Sequence, residues 1–142
     1  MTDARSRLRE PSTWLAAGTI VSAVATAGSL WFSRGLGLDP CVLCWYQRIT
    51  MYPLVIVLGV AAVERRAAAL RTALPLVGTG MTIAAYHSYL QATTERCTFG
   101  GPCAAVQWRA PLVDLTIPNL SAVAFGLLAV LLVGMQRYAT SQ

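Results

Sequence analysis

Apolar residues along this chain fall in four long blocks separated by short polar stretches, with no period-two alternation that would suggest half-buried strands. Each block supplies the roughly 20 apolar residues a helix needs to cross a ~30 Å hydrocarbon layer. They lie near residues 13–33, 44–63, 71–90 and 118–136. The pattern predicts one all-α domain over residues 1–142, a bundle of four transmembrane helices. Pro53 and Pro75 fall inside two of the blocks. A bilayer-embedded helix tolerates proline where its neighbours re-satisfy the backbone, so they bend or start helices without disqualifying the spans. No internal repeat or low-complexity segment interrupts the pattern.

Composition supports the membrane reading. Of 142 residues, 56% are hydrophobic and 12% charged, about half the charged share of a soluble domain. The net charge of +5 comes from eleven arginines, no lysine and six acids. A basic balance can signal nucleic acid, but position argues otherwise. Arg5, Arg7 and Arg9 precede the first block, Arg65, Arg66 and Arg71 surround the break between the second and third, and Arg137 follows the last. That is the cytoplasmic arginine bias of a multi-pass inner-membrane protein, with both termini cytoplasmic and the loops at 34–43 and 91–117 outside. The first block also resembles a signal peptide, with Ala25-Thr26-Ala27 as a small-residue cleavage site. Because the apolar run continues through Leu30, Trp31 and Phe32, it is long enough to span, and we expect it to be retained.

With that topology all four cysteines lie on the extracytoplasmic side, where disulfides form and persist. The stretch DPCVLCWYQR holds Cys41 and Cys44 at the outer end of the second span. Asp39 reads as an N-cap and Pro40 as the first helical residue, so the helix is predicted to begin at Cys41. Cys41, Cys44 and Arg48 would then share one stripe. A helix N-terminus and an arginine both favour a thiolate, and the Cys-x-x-Cys spacing allows reversible closure of a disulfide. Arg48 sits inside the span, where a charge is costly unless it reaches the interface or binds something anionic; a reducible carbonyl ligand would suit it. A permanent disulfide with a snorkelling arginine is the plainer alternative.

The second pair, Cys97 and Cys103 in CTFGGPC, brackets a turn-forming centre that can bring the two sulfurs together. Such a disulfide in a polar loop is open to attack by a partner's thiolate, though an inert loop staple has the same sequence. A four-cysteine zinc site is disfavoured, because five residues separate this pair instead of two to four, and no metal is expected. Residues 104–117 mix Trp108 and Arg109 with apolar positions and could form an amphipathic surface helix. His87, in YHSYLQ near the outer end of the third span, is a candidate ligand-contacting residue by its membrane position, or an ordinary interfacial hydrogen-bonding group.

CVLCWYQR, YHSYLQ, CTFGGPC and TIPNLSAVAF, in this order, resemble the disulfide bond formation protein B (DsbB) family over nearly the whole chain, particularly its short members with a compact second cysteine loop. The resemblance implies an inner-membrane thiol oxidase that reoxidises a soluble thioredoxin-like, DsbA-like disulfide donor and passes electrons to a quinone, ubiquinone or menaquinone. It implies that Cys41 and Cys44 are the quinone-coupled pair, with Cys44 facing the quinone and Arg48 beside its head group. It further implies that Cys97 and Cys103 face the partner, with Cys97 forming the mixed disulfide, and that His87 lies near the quinone. A protein of the vitamin K epoxide reductase type also couples loop cysteines to a membrane Cys-x-x-Cys, but there the pair lies near a late span. A membrane scaffold with two inert disulfides is the non-enzymatic alternative.

Overall fold

The computed structural model describes residues 10–93 and 103–140; Cys97 and the arginines at 5, 7 and 9 fall outside them. Four helices follow one another: α1 (Pro11–Leu30), α2 (Val42–Glu64), α3 (Leu70–Thr93) and α4 (Ile117–Thr140). All four are long and apolar enough to cross a membrane, as the four blocks predict. α1 starts with Pro11 in its first turn, where the missing N–H has no intrahelical partner to lose. It runs on through a π-helical turn, Trp31–Gly35, and α3 is preceded by a single 3₁₀ turn, Ala67–Ala69. Pro53 and Pro75 lie inside α2 and α3 without ending them.

Each helix packs on two neighbours, α1 and α3 both contacting α2 and α4. Consecutive helices run antiparallel. Glu10, at the start of α1, pairs with Arg65, at the end of α2, at 3.8 Å. The Trp14 ring lies against Gly134 near the end of α4. Both described chain ends therefore sit at one end of the bundle, and the segments 36–41 and 103–116 at the other.

The core is a continuous seam of Leu15, Leu54, Leu58, Val77, Phe125, Leu128 and Leu132. Outward faces carry exposed Ile20, Val24, Ile49, Ile56, Val60 and Val130, apolar surface that lipid covers in a spanning bundle. At Gly80 a Cβ would run into the Phe125 ring, so the missing side chain is what allows α3 and α4 to close on each other.

Two expectations about the outer end are corrected. The N-cap of α2 is Cys41 in extended conformation, not Asp39, and the helix begins at Val42. The Cys41 sulfur accepts the Cys44 N–H at 3.4 Å, doing the work expected of an aspartate, while the Asp39 carbonyl accepts from Gln107 at 3.1 Å. The segment after Cys103 is not a surface helix. Pro111 blocks a continuous helix, and the chain turns back through an isolated Arg109–Thr116 bridge with Asp114 at φ 50°. Arg109 pairs with Asp114 at 3.0 Å, and the Trp108 ring packs on Phe32 at 4.7 Å, fixing the loop to the end of α1.

Candidate functional site

Cys41 caps α2 and Cys44 lies in its first turn, so the first cysteine pair sits at the helix start. Cys41 turns inward and is buried, whereas Cys44, one turn on, is half-buried. Their sulfurs lie 3.1 Å apart, within thiol hydrogen-bond reach, with Cys41 donating to Cys44. That donated bond, then burial, pushes the Cys41 thiol up to about 11, against a smaller opposite pull from His87.

Two spaces meet at Cys44. The larger, about 530 Å³, lies between α1, α2 and α4, and its wall is apolar apart from a few groups around Arg48 and Ser29 near its outer end. The smaller, about 20 Å³, is bounded by Cys41, His87 and Cys103. Cys44 stands in the wall of both. Cys41 lines only the smaller, so of the pair it is Cys44 that shares the larger space with Arg48.

Arg48 reaches across to α1 instead of snorkelling. Its Nε donates to Ser29 Oγ at 2.9 Å, and its Nη2 to the Ser29 carbonyl at 3.0 Å and to Ser33 Oγ at 2.7 Å. Tyr52 donates to the same Ser29 hydroxyl at 3.4 Å, and Ser33 donates back to the Ser29 carbonyl at 3.0 Å. The Trp45 ring lies 5.4 Å from the guanidinium carbon, close enough for cation–π attraction. Nη1 takes no part in these bonds, so the fork is held by one edge on α1 in the wall of an apolar cavity.

His87 is buried, and α3 contributes no residue to the large cavity. The ring meets the first cysteine pair from the side of α3, and not from the large cavity. Its Nε2 is 3.0 Å from the Cys103 carbonyl oxygen and 3.7 Å from Cys41 Sγ, and its Nδ1 is 3.1 Å from Gln47 Nε2. The Cys41, Cys44 and His87 donor atoms lie within 4.8 Å of one another, but the ring nitrogen involved faces a carbonyl oxygen and so presents a proton, not a lone pair, to the group. Cys103 is buried beside them. Its expected partner Cys97 lies outside the described residues.

Sequence reasoning missed Ser29, Ser33 and Gln47. The serines are a visible signal, two hydroxyls four apart within an apolar span. Gln47 adjoins Arg48 and borders the same cavity, but its amide turns to His87, a contact that helical spacing does not announce.

The profile of the family described as "Disulfide bond formation protein DsbB" matches residues 11–135. Among curated relatives, "Probable disulfide formation protein C 1" of Bacillus anthracis is 38% identical over 113 residues, covering 77% of this chain and 81% of its own. "Disulfide bond formation protein C" of Bacillus subtilis is 36% identical over 125 residues, covering 82% and 88%. "Probable disulfide formation protein" of Metapseudomonas resinovorans is 32% identical over 133 residues, covering 90% and 89%. No solved structure matches. With the three described cysteines gathered at one end of a four-helix membrane bundle and a family match spanning nearly all of it, this chain belongs to the DsbB family of disulfide bond formation proteins.

Proposed function

We propose that this protein is a thiol:quinone oxidoreductase of the bacterial inner membrane, which reoxidises a soluble thioredoxin-like, DsbA-like partner on the extracytoplasmic side. The observation that carries this reading is the position of Cys44, shared between a large apolar cavity and a small void bordered by Cys41 and Cys103. At about 530 Å³ the cavity is in the ordinary range of small-molecule sites, ~300–1,000 Å³. It offers an apolar wall for an isoprenoid-bearing ring, a guanidinium for a ring oxygen, and one sulfur. Ubiquinone or menaquinone, when bound, supplies the two-electron acceptor that keeps the Cys41–Cys44 pair oxidised.

The chain's own groups carry the earlier steps. A partner thiolate attacks the Cys97–Cys103 disulfide at Cys97, and the partner's second thiol resolves the mixed disulfide, leaving an oxidised partner and a Cys97/Cys103 dithiol. That dithiol then reduces the Cys41–Cys44 disulfide, so one S–S bond forms for each one broken. Burial of Cys103 beside Cys41 and His87 favours this second exchange. In the cavity Arg48 stabilises negative charge developing on an oxygen, held ready by the Ser29 and Ser33 bonds.

The test is turnover of purified protein in detergent, given quinone and a reduced thioredoxin-like protein, with quinone absorbance and partner thiols followed together. Both should fall in step. Cys44→Ser should abolish the loss of quinone absorbance, and Arg48→Lys should raise the quinone concentration needed, because an ammonium lacks the planar fork. Wild-type turnover by Cys44→Ser, or partner oxidation that ignores quinone, would sink the reading.

A further inference from the structure

The chain has a single histidine, buried to 2% exposure, and its three polar neighbours dictate where its proton sits. The Cys103 carbonyl oxygen, 3.0 Å from Nε2, can only accept, so Nε2 carries hydrogen. In a neutral ring Nδ1 is then bare and must accept. Gln47 supplies the donor, its amide nitrogen 3.1 Å away. The opposite tautomer would set the bare Nε2 against the carbonyl oxygen, lone pair to lone pair.

We propose that Gln47 is a positioning residue: it fixes His87 as the Nε2–H tautomer, so that one imidazole N–H serves both the Cys103 carbonyl and the Cys41 sulfur, 3.7 Å away. This rests on the proposed function and deepens it at its exchange half; Gln47 also borders the large cavity, so the tests below are made without quinone. When Cys41 is displaced from a disulfide, the attacking thiolate forms the new S–S bond with the former partner sulfur. The electron pair of the broken bond passes to Cys41, and the proton remains on Nε2, donated toward the new thiolate. A ring with its proton on Nδ1 would offer that sulfur a lone pair instead. Gln47 is itself buried, so its amide is not free to exchange this bond for bulk water, and substitution should leave the ring without its instruction. Among the described residues the titratable groups around the small void are Cys41, Cys44, Cys103 and His87 itself, and no described carboxylate lines it.

Because there is one histidine, [¹⁵N]histidine labelling of the full-length protein in detergent gives a single ring, and a long-range ¹H–¹⁵N correlation reads its tautomer directly. Wild type should show Nε2–H with a bare Nδ1. Gln47→Leu and the near-isosteric Gln47→Met should populate the Nδ1–H form, and Gln47→Glu, which offers only an acceptor, should drive a proton onto Nδ1. A second readout takes Cys44→Ser protein, in which Cys41 is the remaining thiol of the first pair, and follows its alkylation against pH. Adding Gln47→Leu should move the midpoint up and slow alkylation near neutrality about tenfold, the loss of one hydrogen bond to a charged group. An Nδ1–H ring in the wild type, or a Cys41 profile unmoved by both Gln47 substitutions, overturns the proposal. Neither measurement contains quinone, so either result stands apart from a failure of quinone coupling.

Discussion

Arg48 shows how a single charge is made usable inside a span. A guanidinium in hydrocarbon is expensive, and here Ser29 of α1 and Ser33 of the π-helical turn that follows it absorb three of its N–H groups without neutralising it. The charge stays available while its direction is set. Replacing both Ser29 and Ser33 by alanine should therefore leave the arginine in place but loosen it, raising the apparent KM for quinone about tenfold, with single-turnover oxidation of the partner unchanged. An unchanged KM would mean that the serines only solvate the arginine. Cys41 carries a second expectation at this scale. Because its donated bond and burial raise it to about 11, alkylation of Cys41 in the dithiol protein should stay slow near neutrality and climb as pH approaches that value. His87→Ala should move the rise further up, since His87 opposes the shift; a profile unaltered by that substitution would remove His87 from the electrostatics of the pair.

At the scale of elements, the α3–α4 contact hinges on an absent side chain. A Cβ at Gly80 meets the Phe125 ring and the Thr50 hydroxyl, so Gly80→Ala overpacks a seam that has no give. Such insertions typically destabilise by ~1–3 kcal/mol, and thermal unfolding in detergent, followed by thiol exposure, should start at lower temperature. Phe125→Leu in the same protein should recover part of the loss; equal stability of wild type and Gly80→Ala would show that the helices can separate at no cost. What the sequence made legible follows the same division. Four spans could be read from apolar runs because length alone decides whether a helix crosses a bilayer. The start of α2 could not, because Asp-Pro is the stronger local signal and only the fold reveals a sulfur acting as the cap. Helical period tells which residues share a face but not which neighbour that face meets. Arg48 was therefore recognisable as a special charge, whereas Ser29 and Ser33, visible as two hydroxyls four apart, could not be tied to it, and His87 could be singled out without showing that α3 stands on the far side of α2 from the cavity.

In the molecule as a whole, α2 separates two kinds of space. Its face toward α1 and α4 borders the large apolar cavity, and Cys41, Cys103 and the His87 imidazole gather at the small void toward α3, with Cys44, Gln107 and Ile117 common to both. If the proposed division of labour holds, blocking the first space should spare chemistry in the second. Gly28 offers the means. It borders the cavity, and a Cβ there meets nothing within 4 Å, so a larger side chain grows into open space without displacing the core. Glycine within a helix is also unfavourable relative to other residues by ~1 kcal/mol, so Gly28→Leu should not weaken α1. We expect this variant to need at least about tenfold more quinone, in line with the small cost of overfilling an apolar site by a few methylenes. Its stoichiometric exchange with reduced partner, measured without quinone, should match wild type. Loss of both activities together would mean that the spaces are not independent, and that the wall between them moves during the reaction.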